Sequence, residues 1–214
     1  PIVSIDRTLA NLRTPHVSVD NYKSFYIMTK HLLDLGHRNI TFVATSLYSI
    51  SSELDRYRGF CQACSDAGVS LSDNHLFYMK NILDLPENYR LDNETYSEAI
   101  SYIIGKILSN PKESRTSAIA CVNDEIARLI MKELLHRGIH IPKEIAITGF
   151  DDLPFSEHLH VPLTTMKQPL ESIGVLAAKE LLKSIKSPKR YLMSKKIPTE
   201  LIVRESTNIY LKKK

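Results

Sequence analysis

Apolar positions along this 214-residue chain alternate between two rhythms. Short β-branched and aliphatic runs predict strands at residues 2–5, 40–44, 76–79, 117–122, 144–150 and 201–204. Between them, apolar residues spaced three to four apart predict helices at 21–35, 52–67, 94–108, 124–136 and 169–185. In the first helix Tyr22, Phe25, Met28, Leu32 and Leu35 form one face, with Ser18 or Asp20 as N-cap and Gly36 as stop. Ser51 or Ser52 can cap the second, which Gly68 ends, and Gly138 ends the fourth. Strand and helix in turn, joined by short connections, predict an α/β fold: a parallel sheet covered by helices on both faces.

Ligands of such sheets sit beyond the carboxyl ends of the strands. Polar side chains stand there in this chain: Asp6 and Arg7 after the first strand, Asn123 and Asp124 after 117–122, Asp151 and Asp152 after 144–150. Arg56 lies on the second helix, one turn before Gly59 and Phe60. Carboxylates, an amide and a guanidinium are the groups that grip vicinal hydroxyls, since Asp accepts two hydrogen bonds and Arg donates several. The same residues after strands are also common helix caps and turn formers.

Composition narrows the classes. Apolar residues at 43% and charged residues at 24% suffice for a buried core. No run approaches the roughly 18 consecutive apolar residues of a membrane helix, so no membrane association is expected. Three Cys cannot build a disulfide framework and fit a reducing compartment. The formal charge of +4 is unevenly placed: 183–214 hold ten Lys/Arg and two Asp/Glu, leaving 18 and 22 for the rest. The basic excess therefore belongs to Lys183, Lys186, Lys189, Arg190, Lys195, Lys196 and the Lys212-Lys213-Lys214 tail, on a slightly acidic body.

Chemistry beyond binding finds little support. Cys61 and Cys64 have redox spacing but fall late in a helix, away from the N-terminal dipole that stabilises a thiolate. His136 and His140 are separated by the helix-ending Gly138, and His158 and His160 flank a loop leucine, so no metal site is expected. No Gly-x-Ser-x-Gly elbow and no dinucleotide fingerprint occur. Asp151 and Asp152 could imitate a glycosidase pair, but adjacent carboxylates after a strand point different ways. Neither an enzyme nor a cofactor is expected.

Several blocks resemble the effector-binding module of lactose/galactose-repressor family transcription regulators. They are Pro1-Ile-Val-Ser-Ile-Asp-Arg7, Val17-Ser-Val-Asp-Asn21, His31-Leu-Leu-Asp-Leu-Gly-His-Arg38 and Arg56-Tyr-Arg-Gly-Phe60. Cys121-Val-Asn-Asp124, the run from Gly138 to Asp152, Pro162-Leu-Thr-Thr-Met-Lys-Gln-Pro169 and Glu200-Leu-Ile-Val-Arg-Glu-Ser-Thr207 continue the match in the family's order. The resemblance implies a periplasmic-binding-protein-like type I fold, with parallel sheets flanked by helices in two lobes and a sugar-sized ligand between them.

By the same resemblance Arg56 is the ligand-gripping arginine, Asn123 and Asp151 the cleft amide and carboxylate, and Gln168 and Asp6 line the cleft from the other lobe. Asp124 and Asp152 read mainly as caps or supports. Residue 1 is Pro, and the family carries further βα units and a helix-turn-helix upstream, so the chain reads as a piece with an incomplete N-terminal lobe. The expected division is 1–17 with 166–190 for that lobe, 18–165 with 191–207 for the C-terminal lobe, and 208–214 as a basic tail. The family implies a cytoplasmic homodimer that meets operator DNA through the upstream headpiece; a periplasmic sugar-binding protein shares the fold and is the alternative. One departure stands out. The family often carries Gly-Asp-aromatic before the third helix, and this chain has Leu91-Asp92-Asn93-Glu94, with Tyr96 nearby.

Overall fold

A computed structural model describes residues 1–7, 14–72, 75–86, 91–186 and 194–208. Its central sheet is made of β3 (Ile40–Ala44), β4 (Leu76–Tyr78), β5 (Ala118–Cys121) and β6 (Ala146–Thr148), in the order β4-β3-β5-β6 and all parallel. Helices α1 (Asn21–Asp34), α2 (Ser51–Asp66), α4 (Asn93–Ser109) and α5 (Asp124–His136) pack around it, and a single turn, α3 (Met79–Ile82), follows β4. Strands β3, β5 and β6 are buried along their whole length, which is why their sequences are continuous apolar runs.

A smaller parallel sheet joins β1 (Ser4–Ile5), β2 (His16–Val19) and β8 (Lys195–Ile197), in the order β1-β2-β8. Strands β7 (Thr165–Lys167) and β9 (Glu200–Ile202) pair antiparallel, and α6 (Leu170–Lys186) follows β7. This is the α/β arrangement expected from the sequence, parallel sheets flanked by helices. Residues 195–197 pair with β2 through Val17–Val19, and β2 in turn pairs with β1. Strands β2 and β8 thus run from the small sheet straight into α1 and β9 of the larger body. Lys189, Arg190 and the Lys212-Lys213-Lys214 tail lie outside the described residues. Lys183 and Lys195 both reach the buried Glu180 carboxylate, at 2.8 and 3.1 Å, tying α6 to β8.

The N-cap of α1 is Asp20, whose Oδ1 accepts from Lys23 N at 3.1 Å. Helix α2 corrects the expected cap: Ile50 is the N-cap residue and no side chain caps it. Neither Ser51 nor Ser52 does so, because the helix entry is held from the other direction. The buried Glu53 carboxylate accepts from Thr45 N (3.1 Å), Ser46 N (3.0 Å) and the Thr45 hydroxyl, anchoring α2 to the end of β3.

Between α1 and the sheet lies an aromatic core. Phe25 meets Phe42 edge-on at 5.1 Å and stacks on Phe150 at 6.2 Å, and Phe42 contacts Phe60 at 5.5 Å. Gly59 lets α2 approach α1. A Cβ there would lie far inside contact distance of the Tyr22 carbonyl oxygen, with Tyr22 C and Tyr26 N each at 3.0 Å. Those atoms are backbone and cannot swing away. Alanine is the better helix former by about 1 kcal/mol, so intrinsic propensity alone favours Gly59→Ala. Overpacking costs about 1–3 kcal/mol and acts on both helices, so Gly59→Ala is expected to lower stability by about 1–2 kcal/mol in urea unfolding. A neutral or stabilised variant would mean the two helices can slide apart.

Candidate functional site

The carboxyl ends of β3, β5 and β6 face the end of β1 across a cavity of about 340 Å³. All five residues singled out from the sequence line it: Asp6, Arg56, Asn123, Asp151 and Gln168. They come from five separate segments, namely the end of β1, helix α2, the N-cap of α5, the loop after β6 and the loop after β7.

Arg56 is 5% exposed. Its Nε donates to Asn21 Oδ1 at 2.8 Å and Nη1 donates to the Val122 carbonyl at 2.7 Å. The guanidinium carbon lies 3.7 Å from the centroid of the Phe150 ring, a cation–π geometry. Among the described residues nothing accepts from Nη2, which leaves that edge for a ligand. Burial weakens the hold of Arg56 on its proton, while the charges of Asp151, Asp6 and Glu53 oppose that effect. A guanidinium stays charged through such shifts, where an ammonium would not.

Asp151 has a φ of 122°, a left-handed backbone that side chains other than glycine rarely adopt. Its N–H donates to the Met166 carbonyl at 2.9 Å and its Oδ1 accepts from Gln168 Nε2 at 2.6 Å. Asp6 is also left-handed at 64°, and its buried Oδ1 has no partner among the described residues. Asn123 caps α5, its Oδ1 accepting from Ile126 N at 2.9 Å. The Asn123 amide nitrogen remains for a ligand. An arrangement of one guanidinium edge, two carboxylates and two amides suits a neutral polyhydroxylated molecule.

Asp124 and Asp152 turn away from the cavity. Asp124 is fully buried behind it, and Asp152 pairs with Arg204 at 2.7 Å. The adjacent carboxylates of Asp151 and Asp152 therefore do not form a working pair. Burial drives the Cys64 thiol up to about 12, which removes the thiolate that redox chemistry needs.

Sequence reasoning missed several lining residues. Ser52 is 5% exposed and precedes Arg56 by four positions, so the helical period puts both on one face; that spacing was the available signal. Glu53 also lines the cavity, as do the aliphatic side chains of Ile50, Leu153 and Ile173, while Arg7, noted from the sequence after the first strand, lines it beside Asp6. In the stretch where the family often carries Gly-Asp-aromatic, Asp92 caps α4 through a capping box with Thr95. Tyr96 lines a separate groove between α4 and α5.

Residues 29–207 match the model of the periplasmic binding protein-like domain. The chain belongs to that family. An arabinose metabolism transcriptional repressor of Geobacillus stearothermophilus is 31% identical over 97% of this chain and 53% of its own length. The chain thus spans about half the length of the curated relatives it matches. A LacI family transcriptional regulator from Enterococcus faecium with bound ribose superposes with a TM-score of 0.77 at 23% identity, over 96% of this chain and 70% of that one. The CelR–cellobiose complex superposes with a TM-score of 0.81 at 22% identity, over 96% and 58%. The resemblance to lactose/galactose-repressor effector modules accordingly holds across the described fold.

Desolvation raises the Asp151 carboxyl to about 6, against the lowering effects of Arg56 and the Gln168 hydrogen bond. Folding therefore strengthens proton binding at this group, so its contribution to stability is present below about pH 4 and declines as pH rises to about 6. Asp151→Asn is expected to raise the unfolding free energy at pH 7 by about 1–2 kcal/mol and to flatten its slope between about pH 4 and 6. Denaturant titrations at pH 5 and pH 7 test this; a less stable Asn variant at pH 7 would contradict it.

Proposed function

We propose that this chain is the effector-sensing part of a bacterial transcription regulator and binds a small sugar or related metabolite in the Arg56–Asp151 cavity. The convergence of Asp6, Arg56, Asn123, Asp151 and Gln168 from five segments carries this reading. Relatives named as sugar-operon repressors, and a ribose-bound neighbour, support the sugar class. The smaller sheet and α6 would form one lobe and the central sheet the other, with β2 and β8 crossing between them.

A ligand touching both lobes favours one lobe arrangement by its difference in affinity for the two. In the whole regulator that bias changes the placing of paired DNA-reading headpieces, in a homodimer matched to a twofold operator. Such a regulator works in the cytoplasm.

Calorimetry on the full-length protein with pentoses, hexoses, disaccharides and sugar phosphates tests the pocket. For the sugar that binds, Asp151→Ala and Arg56→Lys should each weaken binding at least ~10-fold, or about 1.4 kcal/mol. Lysine keeps the charge but loses the planar fork over Phe150. Unchanged affinity in both variants would place the ligand elsewhere.

A further inference from the structure

Asp124 lies immediately behind the cavity wall and touches none of its space. It is 0% exposed, and its carboxylate accepts three hydrogen bonds. Oδ1 accepts from Thr165 Oγ1 at 2.5 Å; Oδ2 accepts from Leu153 N at 2.9 Å and from Ser156 Oγ at 2.6 Å. Burial pushes the Asp124 carboxyl up, and the two hydroxyls and one N–H that donate to it oppose that effect and favour its ionised form. Its own backbone N–H donates to the Phe150 carbonyl at 2.9 Å. Gly149 completes the fit, since a Cβ there would collide with Asp124 Oδ1 and lie 2.8 Å from Leu163 Cδ2.

These contacts bracket Asp151. Phe150 before it and Leu153 after it are both tied to Asp124, and Asp152 N lies 3.4 Å from the same Thr165 hydroxyl. A side chain held at a φ of 122° persists only where its surroundings over-determine it. Helix capping alone would not require this geometry, because α5 is already capped by Asn123. Its N-terminal carboxylate is committed to a neighbouring loop instead.

We infer that Asp124 is the positioning residue of Asp151: it fixes the backbone on both sides of the cavity carboxylate. The Asp124 carboxylate, held behind the same loop, is also one of the negative charges that bear on whether Asp151 offers a ligand a hydrogen-bond acceptor or a donor. The charges and polar groups facing Asp151 come from every element around it. Arg56 and Glu53 stand on α2, Asp6 and Arg7 at the end of β1, Asp124 on α5, and Lys167 and Gln168 at the end of β7. Arg56 and Gln168 favour the ionised form, while Asp124 and Asp6 disfavour it, adding to the effect of burial. Asp124 is the one of these with no route to solvent or ligand, so its charge is screened least. Only the use of this influence in effector binding rests on the cavity's proposed function; the influence itself does not.

The test needs no ligand. Carbon-13 carboxyl shifts followed from pH 4 to pH 8 give the Asp151 midpoint directly, with Asp151→Asn identifying the resonance. In Asp124→Asn the midpoint should fall by about half a pH unit or more, and the amide signals of residues 150–153 should move. Asp152→Asn, which removes a nearer charge in sequence but one paired with Arg204, should leave it within about 0.3 unit. Should Asp124→Asn not fold, Thr165→Val withdraws one of the three donors at nearly constant volume. It should displace the Asp151 midpoint and the amides of 151–153, and Thr165→Ser should restore both. An Asp151 midpoint equal to that of the parent protein in folded Asp124→Asn, or in Thr165→Val, would overturn the inference. A binding assay that found no sugar would leave it standing, so the two failures are distinguishable.

Discussion

Burying the Arg56 guanidinium against Phe150 is the most demanding thing this fold does. A cation taken from water loses several kcal/mol of solvation unless hydrogen bonds and opposite charge replace it. Here the Asn21 amide and the Val122 carbonyl take two edges, the Phe150 ring takes a face, and Asp151, Asp6 and Glu53 supply the countercharge. Phe150 can serve because Phe25 backs it, and Phe25 sits against Phe42 in the core. The hydrophobic core and the polar cavity are therefore one construction. A change that loosens the aromatic cluster also loosens the cation, and Arg56 cannot be removed without leaving Asn21 and Val122 unpaired inside.

Around that cation the same physical device recurs: a strand stops, and a carboxylate committed to hydrogen bonds organises the turn that follows. Glu53 does this for the end of β3, holding Thr45 and Ser46. Asp124 does it for the loop after β6, and Asp152 with Arg204 braces that loop from its outer side. Supporting carboxylates of this kind satisfy backbone N–H groups that would otherwise be buried without partners. They leave Asp151 and Asp6 as the acidic side chains with capacity to spare.

The helices were legible in the sequence where local chemistry sets their ends. Asn123 and Gly138 bracket α5, and the expected 124–136 is the observed span. The strands β2, β7 and β8 were not legible as strands, since His16-Val-Ser-Val19, Thr165-Met-Lys167 and Lys195-Lys-Ile197 carry too few apolar residues in a row. Their conformation comes from pairing across long separations, as between Val17 and Lys195. The cavity residues were legible through the family blocks and their place after strands. Ser52 reads from the sequence as a cap rather than a lining residue, because a serine before a helix most often has that role, and Glu53 carries no sequence signal of its own. The left-handed backbone at Asp6 and Asp151 had no sequence signal, as neither position is glycine.

The close crossing at Gly59 also makes the cavity mechanically lopsided. With backbone of α1 and α2 in contact, and Tyr26 Oη joined to Asp66 at 2.9 Å, the wall that carries Arg56 is an anvil. The opposite wall hangs from β1, two residues long, with Ile2 and Ile5 more than half exposed. Two walls of unequal stiffness do not share a displacement evenly; the softer one travels. The guanidinium of Arg56 stands on the braced wall, and the Asp6 carboxylate on the wall with fewer restraints.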